Sequence, residues 1–309
     1  MQLGPLLRRY KLHDNPHAVS GYRLLRRAAS RVGLQIVLDT FYSPIPRLDE
    51  LPPGVFERRS ALAGVRFDVD EQLAWTRREL SGPMAEFSAT VASAGLGPVY
   101  TSDNPTYTLL DATVLYGMLR RLRPRRVVEL GSGASTLVAT QALAANARDG
   151  APGEMEVFDP YPGVVHERLP GLSHLERLRA QDVPLDTFDR LQSGDVLFVD
   201  TTHTVKVGSD VNFVILDVLP RLAPGVVVHF HDIFLPYEYP RPWVEDLALY
   251  WAEEYLLQAF LALNPEFDVL CAVAALCADR PAGFADALPP GMQPAQGSAF
   301  WMQRVERPR

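Results

Sequence analysis

Two short polar segments of the 309-residue chain carry side chains that could move a proton and hold a metal ion. A histidine can take a proton from a hydroxyl group, and aspartates are hard oxygen ligands that can hold magnesium and lower the pKa of a bound hydroxyl. The same residue types also have a purely structural interpretation, in which an aspartate orients a histidine or caps a turn. The residues are Asp200, His203 and Lys206 in the first segment, and His231 and Asp232 in the second.

Both segments directly follow apolar runs in a chain that alternates such runs with helical patterns from residue 105 onward. Five buried strands with helical connections predict a doubly wound, parallel α/β sheet. Because the carboxyl ends of parallel strands meet at one edge of a sheet, we expect both segments to face one cleft. The predicted strands are 126–130, 155–158, 175–180, 195–199 and 226–230, and two later runs, 267–274 and 299–305, are close enough in sequence to pair antiparallel.

The first predicted strand runs into a glycine turn and a helix start, in the sequence from Val127 to Thr136. Glycines at such a turn let a cofactor approach the backbone closely, although a tight strand-to-helix turn that binds nothing has the same local pattern. Dinucleotide sites usually continue to a third glycine, and Thr136 stands there instead. The turn therefore favours an amino acid joined to a nucleoside over a pyrophosphate. Its candidate cofactor residues are Glu129, Gly131, Ser132, Gly133 and Thr136.

Residues 104–305 resemble the class I S-adenosylmethionine-dependent methyltransferases, most closely a bacterial branch called methyltransferase domain family 24. The resemblance implies a Rossmann-like, seven-stranded sheet whose last strand is antiparallel, and S-adenosyl-L-methionine as the cofactor. It rests on Glu129-x-Gly131-x-Gly133, Asp159, Gln181-Asp182, 199–203 and 229–233.

Site roles follow from this resemblance residue by residue. Gly131 and Gly133 would line the methionine portion, Asp159 would accept the ribose hydroxyls, and Asp182 would accept the adenine amine. His203 would be the base beside the sulfonium methyl, assisted by Asp200 and Lys206. The metal set would be Asp200, His231 and Asp232. Related sugar and antibiotic O-methyltransferases have an acidic residue where His231 stands, which leaves magnesium or another, softer divalent ion as alternatives.

Substrate contacts are predicted at Asn104, Tyr107 and Tyr237. Asn104-Pro105-Thr106-Tyr107 is superficially similar to the N-P-P-Y motif of amino-group methyltransferases, but it precedes the glycine turn, so we interpret it as a loop at the mouth of the cleft or a helix cap. Tyr237 lies in the aromatic and proline-rich segment 234–243, which could wall a pocket or be a stiff crossover.

Composition narrows the class of protein. The net charge of −7 argues against a broad cationic face for nucleic acid, and the longest apolar stretch, 269–278, is shorter than a membrane span. Two cysteines and the lack of a secretory signal predict a cytoplasmic protein. Breakers interrupt the pattern before residue 105 and apolar runs alternate with helical patterns after it, so we divide the chain there. The two parts are a mainly helical accessory or cap region, 1–104, whose residues 1–31 form a basic arm, and a methyltransferase domain, 105–309.

We therefore expect a bacterial methyltransferase, able to form a homo-oligomer, that methylates a hydroxyl of a small-molecule or sugar-containing acceptor. Two alternatives remain at this stage. One is an NAD-dependent oxidoreductase on a Rossmann-like sheet, which Thr136 disfavours. The other is a cofactor-binding module without catalysis that serves assembly with other proteins, which fold alone does not exclude.

Overall fold

A computed structural model describes residues 16–87, 106–163, 169 and 171–306 of the chain. It divides into two compact units, one ending at Val55 and the other beginning at Phe56. In the first unit, helix α1 (Pro16–Ser30) carries part of the basic arm, and a short 3-10 turn spans Leu48–Glu50. The predicted boundary at residue 104 is a different division, and it stays a prediction.

A seven-stranded sheet forms the centre of the second unit. Its strands are β1 (Arg126–Leu130), β2 (Glu154–Phe158), β3 (Leu172–Glu176), β4 (Val196–Val199), β5 (Val227–Phe230), β6 (Phe267–Ala272) and β7 (Phe300–Arg304). They lie in the order β3-β2-β1-β4-β5-β7-β6. The pairs among β1 to β5 are parallel, and β7 pairs antiparallel with both β5 and β6. The predicted Rossmann-like, seven-stranded sheet with an antiparallel last strand is confirmed.

Helices cover the sheet on both faces. They are α2 (Val69–Ala85), α3 (Leu109–Leu122), α4 (Ala134–Arg148), α5 (Leu185–Asp189), α6 (Asp210–Phe213), α7 (Arg241–Glu245), α8 (Glu253–Leu261), α9 (Val273–Asp279) and α10 (Pro281–Ala285). Every residue of β4 and β5 is buried, as strands covered on both faces should be, and their near-continuous apolar sequence reflects this.

Side-chain caps fix where several of these helices begin. The Asp68 carboxylate accepts hydrogen bonds from two amides of the first turn of α2, and the Thr108 hydroxyl accepts one from the amide of Asp111 in α3. Ser209 caps α6 in the same way. These side chains satisfy amides that have no partner inside a helix, so polar residues before apolar runs mark the helix starts.

One strand differs from the sequence expectation, and two helical segments are not single regular helices. Strand β3 ends at Glu176, and Ala180–Asp182 forms a 3-10 turn where the predicted strand 175–180 would have continued. The amphipathic segment 242–263 contains two separate helices, α7 and α8. After α6 the backbone continues as a π-helix, Val214–Val218, and a 3-10 turn, Leu219–Arg221. Within the described residues, no helix is long and apolar enough to cross a membrane.

Candidate active site

The glycine turn after β1 packs directly against the end of β4. Gly131 has a φ of +85°, in the left-handed region that favours glycine, and a Cβ atom at this position would lie 1.8 Å from the carbonyl oxygen of Asp200. The amide of Asp200 in turn donates a 2.9 Å hydrogen bond to the carbonyl of Leu130. The turn and the polar segment after β4 are therefore in backbone contact, as strand ends at one sheet edge should be.

Glu129 is fully buried at the base of this turn. Its carboxylate accepts hydrogen bonds from the Ser135 hydroxyl at 2.7 Å and the Thr136 hydroxyl at 2.6 Å. The Thr136 hydroxyl also accepts a 3.1 Å hydrogen bond from the amide of Gly133. Burial raises the pKa of Glu129 to about 8, although both hydroxyls act in the opposite direction. Glu129 thus holds the first turn of α4 onto β1.

Ser132 and Asp159 connect the glycine turn to the end of β2. The Ser132 hydroxyl donates a 2.6 Å hydrogen bond to the Asp159 carboxylate, which also accepts one of 2.6 Å from the amide of Tyr161. Asp182, at the end of the 3-10 turn after β3, instead forms an exposed ion pair with Arg179, at 2.7 Å and 3.0 Å. The predicted cofactor residues are together at one sheet edge except for Asp182, whose carboxylate faces solvent and its own turn.

Asp200, His231 and Asp232 converge at the ends of β4 and β5. One candidate ligand atom from each lies within 4.8 Å of the other two. The Nδ1 atom of His231 is 3.4 Å from the Asp232 carboxylate and 3.7 Å from that of Asp200. These are the three residues predicted to hold a metal ion. Within the described part of the chain, no other group of three His, Cys, Asp or Glu residues is close enough to hold one.

His203 lies beside this cluster and is 4% exposed. Its Nε2 atom faces two carboxylates, at 3.3 Å from Asp200 and 3.6 Å from Asp232. Its Nδ1 atom makes a 2.8 Å hydrogen bond with the buried carboxylate of Glu253 at the start of α8. The carbonyl oxygen of His203 accepts hydrogen bonds from the amides of Ala252 and Glu253, which fixes its backbone at a φ of +55°. The imidazole therefore has one settled orientation.

Buried charges of opposite sign shape the titration of these groups. Burial lowers the pKa of His203, but hydrogen bonds with Asp200 and Glu253 outweigh it and raise the pKa to about 10. Burial is likewise the largest influence on His231, and the charges of Asp232 and Asp200 raise its pKa well above the usual range. Burial acts to raise the Asp232 pKa, but the charges of His231 and His203 and the hydrogen bonds from His231 and Ser298 together lower it. The neighbouring carboxylates thus favour the charged form of both buried imidazoles.

A second layer of contacts surrounds His231 and Asp232. The Nε2 atom of His231 lies 3.5 Å from the buried carboxylate of Asp111 and 3.4 Å from the Ser298 hydroxyl. That hydroxyl also donates a 2.9 Å hydrogen bond to Asp232. Tyr107 is buried and stacks on the His231 ring, with ring centres 4.7 Å apart and an interplanar angle of 29°. Tyr107 is therefore at the site.

A cavity of about 840 Å³ opens onto His231 and Asp232. Its other walls come from the start of α3, from the aromatic rings of Phe234 and Trp243, and from the loop before β7. The remaining lining residues are Thr106, Thr108, Leu109, Leu110, 289–293 and 295–298.

Two residues predicted at the site lie elsewhere. Tyr237 does not line the cavity, and its hydroxyl donates a hydrogen bond to Asp279 at the end of α9. Lys206 is exposed, and its described hydrogen bonds are backbone contacts with Ser209 and Asn212. Asn104 lies outside the described residues.

Sequence reasoning missed Glu253, Asp111 and Ser298. Each belongs to a segment that the sequence alone presents as ordinary: a helix start, a helix first turn and a loop before an edge strand. A weak signal existed for Asp111 and Glu253, because both are acidic residues in otherwise apolar, buried helices.

Comparison with known proteins agrees with this geometry. Residues 128–233 match a family model described as a methyltransferase domain. The matched segment spans β1 to β5 and contains the glycine turn and the Asp200, His203, His231 and Asp232 side chains. This segment is therefore similar to the methyltransferase domain family that its motifs resemble, and its strands belong to the α/β sheet.

A curated relative extends the similarity beyond this segment without adding a known activity. It is an uncharacterized protein of Archaeoglobus fulgidus, 28% identical over 165 residues, which are 49% of this chain and 72% of the relative. Asp111 and Glu253, which contact the site's histidines, lie outside the segment that matches the family model.

Replacing Gly131 with alanine should disrupt the contact with β4. We expect Gly131→Ala to be more destabilising than Gly150→Ala. Both glycines have positive φ values, but only the Cβ atom added at position 131 would clash with backbone, at the carbonyl oxygen of Asp200. Urea unfolding of both variants measures this difference, since the shared backbone strain cancels. Equal losses of stability would show that the turn moves away from Asp200 without cost.

Glu129→Gln should change how stability depends on pH. The pKa of Glu129 in the folded protein is about 8 and lies above its value in the unfolded chain. The contribution of Glu129 to the free energy of unfolding is therefore fully present at pH values below the unfolded pKa and is lost as the pH rises to about 8. We expect the variant to gain stability relative to the wild type across this window, by at most about 1.4 kcal/mol per pH unit. Thermal unfolding at pH 5 and pH 9 tests this; a constant difference between the two proteins would contradict it.

Proposed function

We propose that this protein transfers a methyl group from S-adenosyl-L-methionine to a hydroxyl group of a small-molecule or sugar-containing acceptor. The observation that carries the proposal is the backbone contact between Gly131 and Asp200. This contact places the glycine turn, which is suited to a cofactor, beside the Asp200 cluster, which is suited to activating an oxygen nucleophile. Methyl transfer needs these two parts side by side, because the oxygen, the methyl carbon and the sulfur must lie in line.

In this proposal the cofactor binds over the ends of β1 and β2. Gly131, Ser132 and Gly133 give the methionine portion close access to backbone, and the amide of Thr136 at the start of α4 favours its carboxylate. Asp159, already aimed into the turn by Ser132, accepts the ribose hydroxyls. Glu129 acts indirectly, by holding the first turn of α4. Asp182 would have to leave Arg179 to reach the adenine amine.

Asp200, His231 and Asp232 fit a divalent metal ion. The His231 Nδ1 atom is buried, has no hydrogen-bond partner among the described residues, and lies between two carboxylates. An ion held there would supply positive charge that lowers the pKa of a nearby hydroxyl. Asp200 and Asp232 would also orient the acceptor toward the cofactor turn.

His203 is the proposed proton acceptor in its neutral form, because positive charge held by Asp200 and Asp232 would oppose the protonation that these two carboxylates favour. Its Nε2 atom faces the cluster, while its Nδ1 atom is held by Glu253. Nε2 of His203 would take the hydroxyl proton as the acceptor oxygen bonds to the methyl carbon and that carbon leaves the sulfonium, which would give a methyl ether and S-adenosylhomocysteine. A proton acceptor at this position contributes about 10²- to 10⁴-fold to such a reaction. Lys206 could take part only by turning inward from its exposed position.

The cavity beside the cluster suits an acceptor with both polar and apolar surface. Phe234 and Trp243 offer ring edges and faces, with ring centres 5.3 Å apart, and the loop before β7 offers amides and hydroxyls. Tyr107 would support the site through His231. The cysteines, Cys271 and Cys277, are free thiols, which supports a reducing compartment such as the cytoplasm.

Calorimetry and a methyl-transfer assay test this function. We expect S-adenosylmethionine and S-adenosylhomocysteine to bind and NAD not to bind. In a screen of hydroxyl acceptors with labelled cofactor, His203→Ala should abolish most transfer and leave S-adenosylhomocysteine affinity unchanged. Binding of NAD alone would overturn the proposal, as would transfer that is unaffected by His203→Ala.

The Glu253→Gln variant keeps the His203 side chain but weakens the hydrogen bond that orients its imidazole ring. We expect kcat to fall about 10- to 100-fold, with the acceptor KM and S-adenosylhomocysteine affinity unchanged, because only the hold on the imidazole is weakened. Glu254→Gln is the matched control: Glu254 is equally buried on the same helix, but its carboxylate accepts from the amide of Phe234. Nitrogen-15 NMR of the His203 ring should show a change in Nδ1 in the first variant only. Equal kcat losses in both variants would mean that Glu253 acts only through stability.

A further inference from the structure

We propose that the cluster of Asp200, His231 and Asp232 selects a transition-metal dication over magnesium, and that Asp111 is the residue that fixes His231 as its ligand. The inference rests on the proposed function, which includes a metal ion at this cluster. It goes further by naming the class of ion that the cluster prefers.

The donor set contains one imidazole nitrogen. Magnesium prefers oxygen ligands in near-ideal octahedral geometry and keeps several waters, whereas imidazole suits zinc, iron, nickel and copper. His231 is 2% exposed, and its Nδ1 atom is directed between the carboxylates of Asp232 and Asp200. An ion that both aspartates coordinate would therefore lie within reach of this nitrogen.

The outer nitrogen of His231 has the partner that a metal-bound histidine needs. Nε2 lies 3.5 Å from the Asp111 carboxylate, which is 0% exposed. Metal-binding histidines almost always donate the second ring N–H to a carboxylate or carbonyl, which leaves the lone pair on the other nitrogen. With its hydrogen on Nε2, His231 presents the Nδ1 lone pair to the cluster.

Asp111 is itself held in place. Its carboxylate accepts hydrogen bonds from the amides of Ser298 and Ala299, at 3.1 Å and 3.0 Å, and from the Thr108 hydroxyl at 2.8 Å. These partners come from α3 and from the loop before β7, outside the segment that matches the family model. The outer carboxylate is therefore a fixed part of the fold.

Stacking and a further hydrogen bond restrict the remaining freedom of the ligands. Tyr107 packs on the face of the His231 ring at a centre-to-centre distance of 4.7 Å, so the ring is supported on its face as well as at Nε2. Ser298 donates to one oxygen of Asp232. A ligand set oriented in advance in this way favours ions that bind nitrogen directly over ions that remain hydrated.

Metal titration of the full chain, stripped with chelator, tests the inference. We expect calorimetry and manganese EPR to show tighter binding of Co²⁺ and Mn²⁺ than of Mg²⁺, with Co²⁺ giving visible absorption bands that report nitrogen ligation. In His231→Gln the affinity for Co²⁺ should fall much more than that for Mg²⁺. Asp111→Asn should lower Co²⁺ affinity about 10- to 100-fold, and His174→Gln, an exposed histidine of β3, should change nothing.

The wild-type measurement decides the inference even where a variant fails to fold. Magnesium binding as tightly as cobalt, or no ion binding at all, would overturn it, as would a His231→Gln protein that keeps the cobalt preference. S-adenosylhomocysteine binding is measured on the same samples. Loss of that binding with the metal preference intact would count against the proposed methyl transfer and not against the metal site.

Discussion

Two aspartates at neighbouring strand ends repel each other unless positive charge lies between them, and the rest of the site answers this electrostatic constraint. The Asp232 side chain is 12% exposed and the Asp200 side chain is 28% exposed, so water screens their charges only in part. His203 and His231 supply the balancing charge from opposite sides. These imidazoles need partners for their outer nitrogens in turn, and the fold provides two further carboxylates.

The partners come from helices that the family segment does not contain. Glu253 begins α8 and Asp111 lies in the first turn of α3, so the matched residues 128–233 hold the reactive groups but not the groups that orient them. An isolated α/β core of this kind would leave two buried imidazoles free to rotate. We infer that the flanking helices are as much part of the site as the strand ends are.

The sequence predicts this architecture well where local pattern determines position. Apolar runs indicated where the strands lie, and because β1 to β5 are parallel their ends bring Asp159, Asp200 and Asp232 to one edge. It fails where contacts are distant in the chain: no spacing rule relates His203 to Glu253, fifty residues later. Tyr237 illustrates the opposite error, because an aromatic segment beside the site turned its hydroxyl toward Asp279.

The contact between Gly131 and Asp200 has a consequence for divergence between relatives. Because backbone meets backbone there, side-chain substitution in the acceptor cavity leaves the spacing between the cofactor turn and the polar cluster unchanged. Under the proposed function, the loop at 289–298 and the aromatic pair Phe234 and Trp243 could therefore change with each new acceptor, while the alignment of the reacting atoms would be kept. Acceptor choice and reaction geometry are separable traits in this fold, open to selection one at a time.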